Sequence, residues 1–110
     1  MALNKKNRLK KKKDFEAVFK KGKAVRSVFL FARYLGNNLG FPRIAFVVSS
    51  KVSKKAVVRN RIRRTVAEAA SRNLKTIQSA DIVVIADKKV TGASKNEITH
   101  DAENIFGKIR

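Results

Sequence analysis

The sequence predicts an α+β fold, an α-β sandwich with helices packed on a sheet. Three observations carry this. Apolar residues recur at helical spacing in three separate segments. Runs rich in β-branched and aromatic residues lie between them. The chain of 110 residues has room for one core only.

The first helix is expected over residues 14–21 (DFEAVFKK). Phe15, Val18 and Phe19 stand at i, i+3 and i+4, acids come early and lysines late, and Gly22 stops it. Residues 25–35 (VRSVFLFARYL) read as strand. Alternation puts Val28, Leu30, Ala32 and Tyr34 on one face and Phe29, Phe31 and Arg33 on the other. Gly36-Asn37-Asn38-Leu39-Gly40 is a turn, and residues 43–49 (RIAFVVS) form a more uniformly apolar strand. Ser53 is placed to cap a helix running from about Lys54 to Leu74. Residues 80–86 (ADIVVIA) read as a buried central strand. After Thr91-Gly92, Ser94-Lys95-Asn96-Glu97 forms a capping box, followed by the apolar stripe Ile98, Ala102, Ile105, Phe106 and Ile109. The order is therefore α, two or three strands, α, β, α.

Composition narrows the chemistry. With 44% hydrophobic and 32% charged residues the chain is globular in type. The absence of Cys excludes disulfides and thiolate metal sites, and His100 is the only histidine. No apolar run approaches the roughly 20 residues that span a bilayer. The opening MALNKKNRLKKKK lacks the apolar core of a signal peptide, so a cytoplasmic location is expected.

The net charge is +19, and it is unevenly spread. Residues 1–67 hold 20 basic residues against only Asp14 and Glu16, whereas residues 68–110 are nearly balanced. A basic surface made for solubility mixes both signs, so this half is read as built to meet phosphates. The stretch 1–13, with Arg8 among its lysines, is expected to be flexible until an anion orders it.

On a helical wheel starting from Arg59, Arg63 falls at roughly 40°, Asn60 at 100°, Arg64 at 140° and Arg61 at 200°. Val58, Ile62, Val66 and Ala69 gather between roughly 260° and 340°. One stripe is thus for burial, and the rest presents four arginines with no acidic neighbour before Glu68. A merely solvated face would pair its charges at i, i+4. The guanidinium suits phosphate because it is permanently charged and offers parallel donors. Lys51, Lys54 and Lys55 stand just before, where a helix start also favours anions.

At these residues the chain resembles a known family. Ala56-Val57-Val58-Arg59-Asn60-Arg61-Ile62-Arg63-Arg64 is similar to the Arg-Asn-Arg signature of the bacterial ribonuclease P protein component. Arg8-Leu9-Lys10, Asp14-Phe15, Val18-Phe19, Gly22 and the apolar strands follow in the same order, so nearly the whole chain, 1–110, is covered as one domain. Lys54-Lys55 stand where the family usually has Gly-Asn.

The resemblance implies the order αβββαβα, a ribosomal-protein-S5-domain-2-like fold with a left-handed βαβ crossover. It implies an RNA-binding subunit of a ribonucleoprotein endonuclease that removes the 5′ leader of precursor tRNA. The RNA subunit would perform hydrolysis with Mg²⁺, and no organic cofactor, small-molecule substrate or membrane partner is expected. The catalytic RNA would meet Arg8, Lys51, Lys54, Lys55, Arg59, Asn60, Arg61, Arg63 and Arg64. The single-stranded leader would meet Phe15, Phe19 and Phe31 in a cleft between the first helix and the sheet. Phe29 joins them through strand alternation.

Such rings can stack on unpaired bases without reading sequence, yet the same spacing is what a core requires, and the pattern alone leaves this open. Phe46 and Phe106 are assigned to core. Neither His100, with Asp101 and Glu103 nearby, nor any pair of acids makes a catalytic or metal constellation, so no catalytic residue is expected. The alternative of another class is a structural RNA-binding protein resembling ribosomal proteins, without a processing role. A DNA-binding helix is disfavoured because the basic arc is too broad for base reading.

Overall fold

The computed structural model describes residues 3–109. Its elements are α1 (Lys12–Lys21), β1 (Lys23–Arg26), β2 (Leu30–Gly36), β3 (Arg43–Val47), α2 (Ala56–Arg72), β4 (Ala80–Ala86) and α3 (Lys95–Gly107), the expected order αβββαβα. The four strands form one sheet in the order β1-β2-β4-β3, with β3 parallel to β4 and the other neighbours antiparallel. Helix α2 is the crossover between the two parallel strands.

The two faces of the sheet are unequal. On one, Leu30, Ala32, Ile44, Ile82 and Val84 are buried against Ile62, Val66, Ala69 and Ala70 of α2 and Ile98, Ala102, Ile105 and Phe106 of α3. Full burial of each large aliphatic side chain contributes about 1.5–3 kcal/mol, so this face holds the core. On the other face only α1 and the N-terminal segment pack, around Leu9, Val18 and Val83. The stripes of α2 and α3 were visible as periodicity, and the Ser94–Glu97 capping box forms as expected.

Three expectations change. Residues 25–35 are two strands, because the chain turns over Ser27–Phe29 instead of running straight. Ser53 does not cap α2: its hydroxyl accepts from the Lys55 amide, and Lys55 holds the cap position without a side-chain bond. The basic segment expected to be flexible is anchored from Leu3 onward, while Met1 and Ala2 lie outside the described residues. Leu3 and Leu9 are buried, the Leu9 amide donates to the Ile44 carbonyl at 3.1 Å, and Asn7 donates to the Pro42 carbonyl. Two leucines among the lysines, and the free edge of β3, supply what charge counting missed.

Gly22 ends α1 as expected. It adopts φ −76°, so no left-handed conformation demands glycine there. Close approach does: a Cβ at Gly22 would lie 2.3 Å from the Val18 carbonyl oxygen and 2.8 Å from that of Tyr34. Both obstacles are backbone. Gly22→Ala is therefore expected to cost about 2–3 kcal/mol. Urea unfolding checks it; an unchanged midpoint would show that α1 shifts freely.

Candidate nucleic-acid interface

The strand register assembles a row across the α1 face: Arg26, Phe31, Ile85 and Val47 are successive cross-strand partners. α1 packs over Arg33 and Val83 of the next row, and Ile85 reaches the edge of that packing while the rest of this row stays partly exposed. Phe31 and Ile85 are half-buried, Val47 is exposed, and Phe19 on α1 is 44% exposed. The Arg26 guanidinium sits 5.1 Å from the Phe31 ring centre, a cation–π stack on that row. Phe15 is half-buried against the Leu9–Val18–Val83 cluster and borders a groove of about 260 Å³ with Leu9, Lys10 and Ala45.

The row lies at the carboxyl ends of the parallel pair β3 and β4, the end at which open α/β sheets offer ligand crevices. Both connections that leave this end are basic. The one after β3 carries Lys51, Lys54 and Lys55, all exposed, and runs into the start of α2. No acid occupies the first turn of α2 and no side chain caps it, so its free amides add a positive end. The one after β4 carries exposed Lys88 and Lys89. These two lysines and Arg26 were absent from the sequence-level set. Their proximity to the cleft depends on strand order, and only the lysine pair after the apolar strand hinted at it.

The basic residues of α2 separate into two groups. Asn60, Arg61 and Arg64 are exposed, with Val57 beside them. Arg59 and Arg63 are half-buried and turn back on the chain. Arg59 donates to the Ser53 carbonyl at 2.8 Å, and Arg63 donates to the Asn60 side chain and, at 3.4 Å, to the Val48 carbonyl. They brace the β3–α2 connection, which puts the lysines in place. Arg8 likewise donates through Nε and Nη2 to the Leu3 carbonyl. Among the described residues the salt bridges join Arg43 to Asp14 and Asp81, and Lys95 to Glu68; none involves an arginine of α2.

Phe29 departs from the expected set. Alternation fails across the Ser27–Phe29 turn, and its ring packs toward the core on the opposite face from Phe31. Phe106 is buried as assigned, and Phe46 is half-buried against the same core.

Most of the carboxylates are engaged in structure; Glu16 and Glu103 are exposed. Asp81 takes two bonds from Arg43, at 2.8 and 2.6 Å, and one from Asn37. The hydrogen bond to Asp81 raises the Arg43 pKa; burial opposes this, and the charges of Asp81 and Asp14 add to it. Arg43 therefore stays ionised at every working pH. Asp101 is buried and accepts from the Ser27 hydroxyl and from the amides of Val28, Phe29 and Leu30 at 2.9 Å each. Asp87 caps the turn at Lys88–Gly92, and Glu97 serves its capping box. His100 is exposed on α3. No group of three or more His, Asp or Glu among the described residues is placed to hold a metal ion. What this arrangement offers is binding: a partly exposed row carrying Phe31, with Phe19 exposed on α1 and cations in the connections beside it, and exposed guanidinium groups on α2.

Comparison with known proteins agrees with that geometry. The family described as Ribonuclease P matches residues 3–110. The ribonuclease P protein component of Alkaliphilus oremlandii is 39% identical over 93 residues, covering 84% of this chain and 81% of that protein. The RNase P protein of Staphylococcus aureus superimposes with a TM-score of 0.86 at 28% identity, over 93% of this chain and 94% of that one. The RNase P protein of Thermotoga maritima gives 0.84 at 30% identity, over 94% and 97%.

Proposed function

Because the chain belongs to the ribonuclease P protein family, we propose that it binds the catalytic RNA of that ribonucleoprotein and the single-stranded 5′ leader of precursor tRNA. The ridge of Asn60, Arg61 and Arg64, with Lys51, Lys54 and Lys55, meets the folded RNA. Arg59 and Arg63 brace the connection that carries these lysines, and Arg8 braces the N-terminal segment at Leu3. The leader lies along the open row beside α1, its bases against Phe19, Phe31 and Phe15 and its phosphates near Lys88 and Lys89.

Two features support this reading: Arg61 and Arg64 are exposed with no acidic partner among the described residues, and Phe19 and Phe31 keep part of their rings uncovered on the α1 side of the sheet. Phosphate contacts of this kind position RNA without reading sequence, and stacking tolerates any base. The chain is a subunit of an enzyme. In this reading hydrolysis falls to the RNA and its Mg²⁺, as the family resemblance implies, while Asp14 and Asp81 are both held by Arg43. The protein's part is to offset repulsion between the two RNAs and to grip the substrate beyond the tRNA body, in the cytoplasm. No described helix is long and apolar enough to cross a membrane. A purely structural RNA-binding role would leave the aromatic row without use.

Reconstitution with the cognate catalytic RNA at low Mg²⁺, using precursors with and without a leader, tests this. The protein should strengthen binding of the leader-bearing precursor selectively; equal stimulation of both overturns leader recognition. Phe19→Ala should lower that selectivity by about 1–3 kcal/mol, the worth of one base stacked on a ring. Its melting temperature should barely move, because the ring is half in solvent. A large melting shift with selectivity intact would make Phe19 a packing residue.

A further inference from the structure

The spacing between α1 and the sheet determines what the cleft admits, and α1 is weakly held. Ten residues make a marginal helix on their own, and Val18 is its one buried side chain. Asp14 ties its beginning to Arg43 at 3.4 Å. Its end is tied by Arg33. This residue stands on β2 in the row next to Phe31, opposite Val83. Its Nη2 donates to the Phe19 carbonyl at 3.0 Å and to the Gly22 carbonyl at 2.9 Å. Both lie where a helix leaves carbonyls without amide partners, and a cation there also meets the negative end of the helix dipole. The Nε of the same guanidinium is buried and has no hydrogen-bond partner among the described residues. The side chain is thus committed to the end of α1 despite an unsatisfied donor, and Gly22 lets the two backbones close to within contact.

We propose that Arg33 is a positioning residue for the single-strand cleft: it clamps the C-terminal turn of α1 onto β2 and so sets Phe19 relative to Phe31. This rests on the reading of the cleft as the seat of the leader. Arg33 acts through α1, so its loss should widen and loosen the cleft while leaving the α2 ridge intact.

The test uses the full chain with its cognate catalytic RNA. For Arg33→Met, the ratio of dissociation constants between leaderless and leader-bearing precursor should fall about tenfold. Affinity for the catalytic RNA alone should stay within about twofold. Arg33→Lys, which keeps the charge but offers a point donor instead of a fork, should recover part of the ratio. In wild-type protein the Gly22 amide should be protected from hydrogen exchange, and in Arg33→Lys it should exchange faster, a readout that stands even where Arg33→Met fails to fold. A wild-type ratio in both variants, or an equal loss of affinity for the catalytic RNA, overturns the clamp. If wild-type protein itself shows no leader preference, the reading of the cleft fails instead.

Discussion

Asp101→Ala should lower the unfolding free energy by about 3–5 kcal/mol, a large part of the 5–15 kcal/mol typical of a domain. The reason lies in its partners. One buried carboxylate on α3 takes three backbone amides and a hydroxyl from the Ser27–Leu30 turn, more than 70 residues away in sequence. Truncation leaves those donors facing a cavity, and the Leu30 amide is buried where water does not replace the acceptor. Asp101→Asn should be nearly as damaging, because its amide group would point N–H at N–H. Glu103→Ala, on the exposed side of the same helix, should stay within about 0.5 kcal/mol. Urea midpoints compare the three. Asp101→Ala unfolding no earlier than Glu103→Ala would remove the carboxylate from the account of this turn.

The second large effect falls on binding. Arg61→Ala combined with Arg64→Ala should weaken association with the catalytic RNA by at least about tenfold at physiological salt. The plot of log affinity against log salt should flatten by about 1.5–2, since each phosphate contact releases slightly less than one counterion. Stability should be little changed, because both side chains are exposed and make no salt bridge among the described residues. Arg59→Ala should behave differently. Its guanidinium braces the Ser53 carbonyl, so losing it should loosen the lysine-bearing connection and lower stability as well as affinity. Filter binding over a salt series separates the two cases. An unchanged slope in the double variant would mean that the ridge faces away from RNA.

These contrasts mark where reading residues in order works and where it stops. The wheel of α2 correctly separated a buried stripe from a basic arc, yet treated its four arginines alike. Which of them turn inward depends on Ser53 and Val48, carbonyls of the preceding connection that no periodicity places. Phe29 and Phe31 are two apart and look equivalent in an unbroken strand. The break between them exists because Asp101 holds the turn, and a lone acid beside His100 in a helix gives no sign of that partner. Gly22 was legible as a helix stop, but the crowding that excludes a side chain comes from Tyr34 on another element.

By itself the sequence determined what is local or summed over the chain: helices from apolar repeats and a capping box, strands from β-branched runs, and the charge asymmetry that selects a polyanionic partner. The Arg-Asn-Arg block identified the family for the same reason, being contiguous. Tertiary structure alone decided which cations are free, which ring faces solvent, and what anchors the N-terminal segment and α1. Those outcomes depend on hydrogen bonds and backbone contacts between distant residues, and their energies appear only once the sheet has brought the partners together.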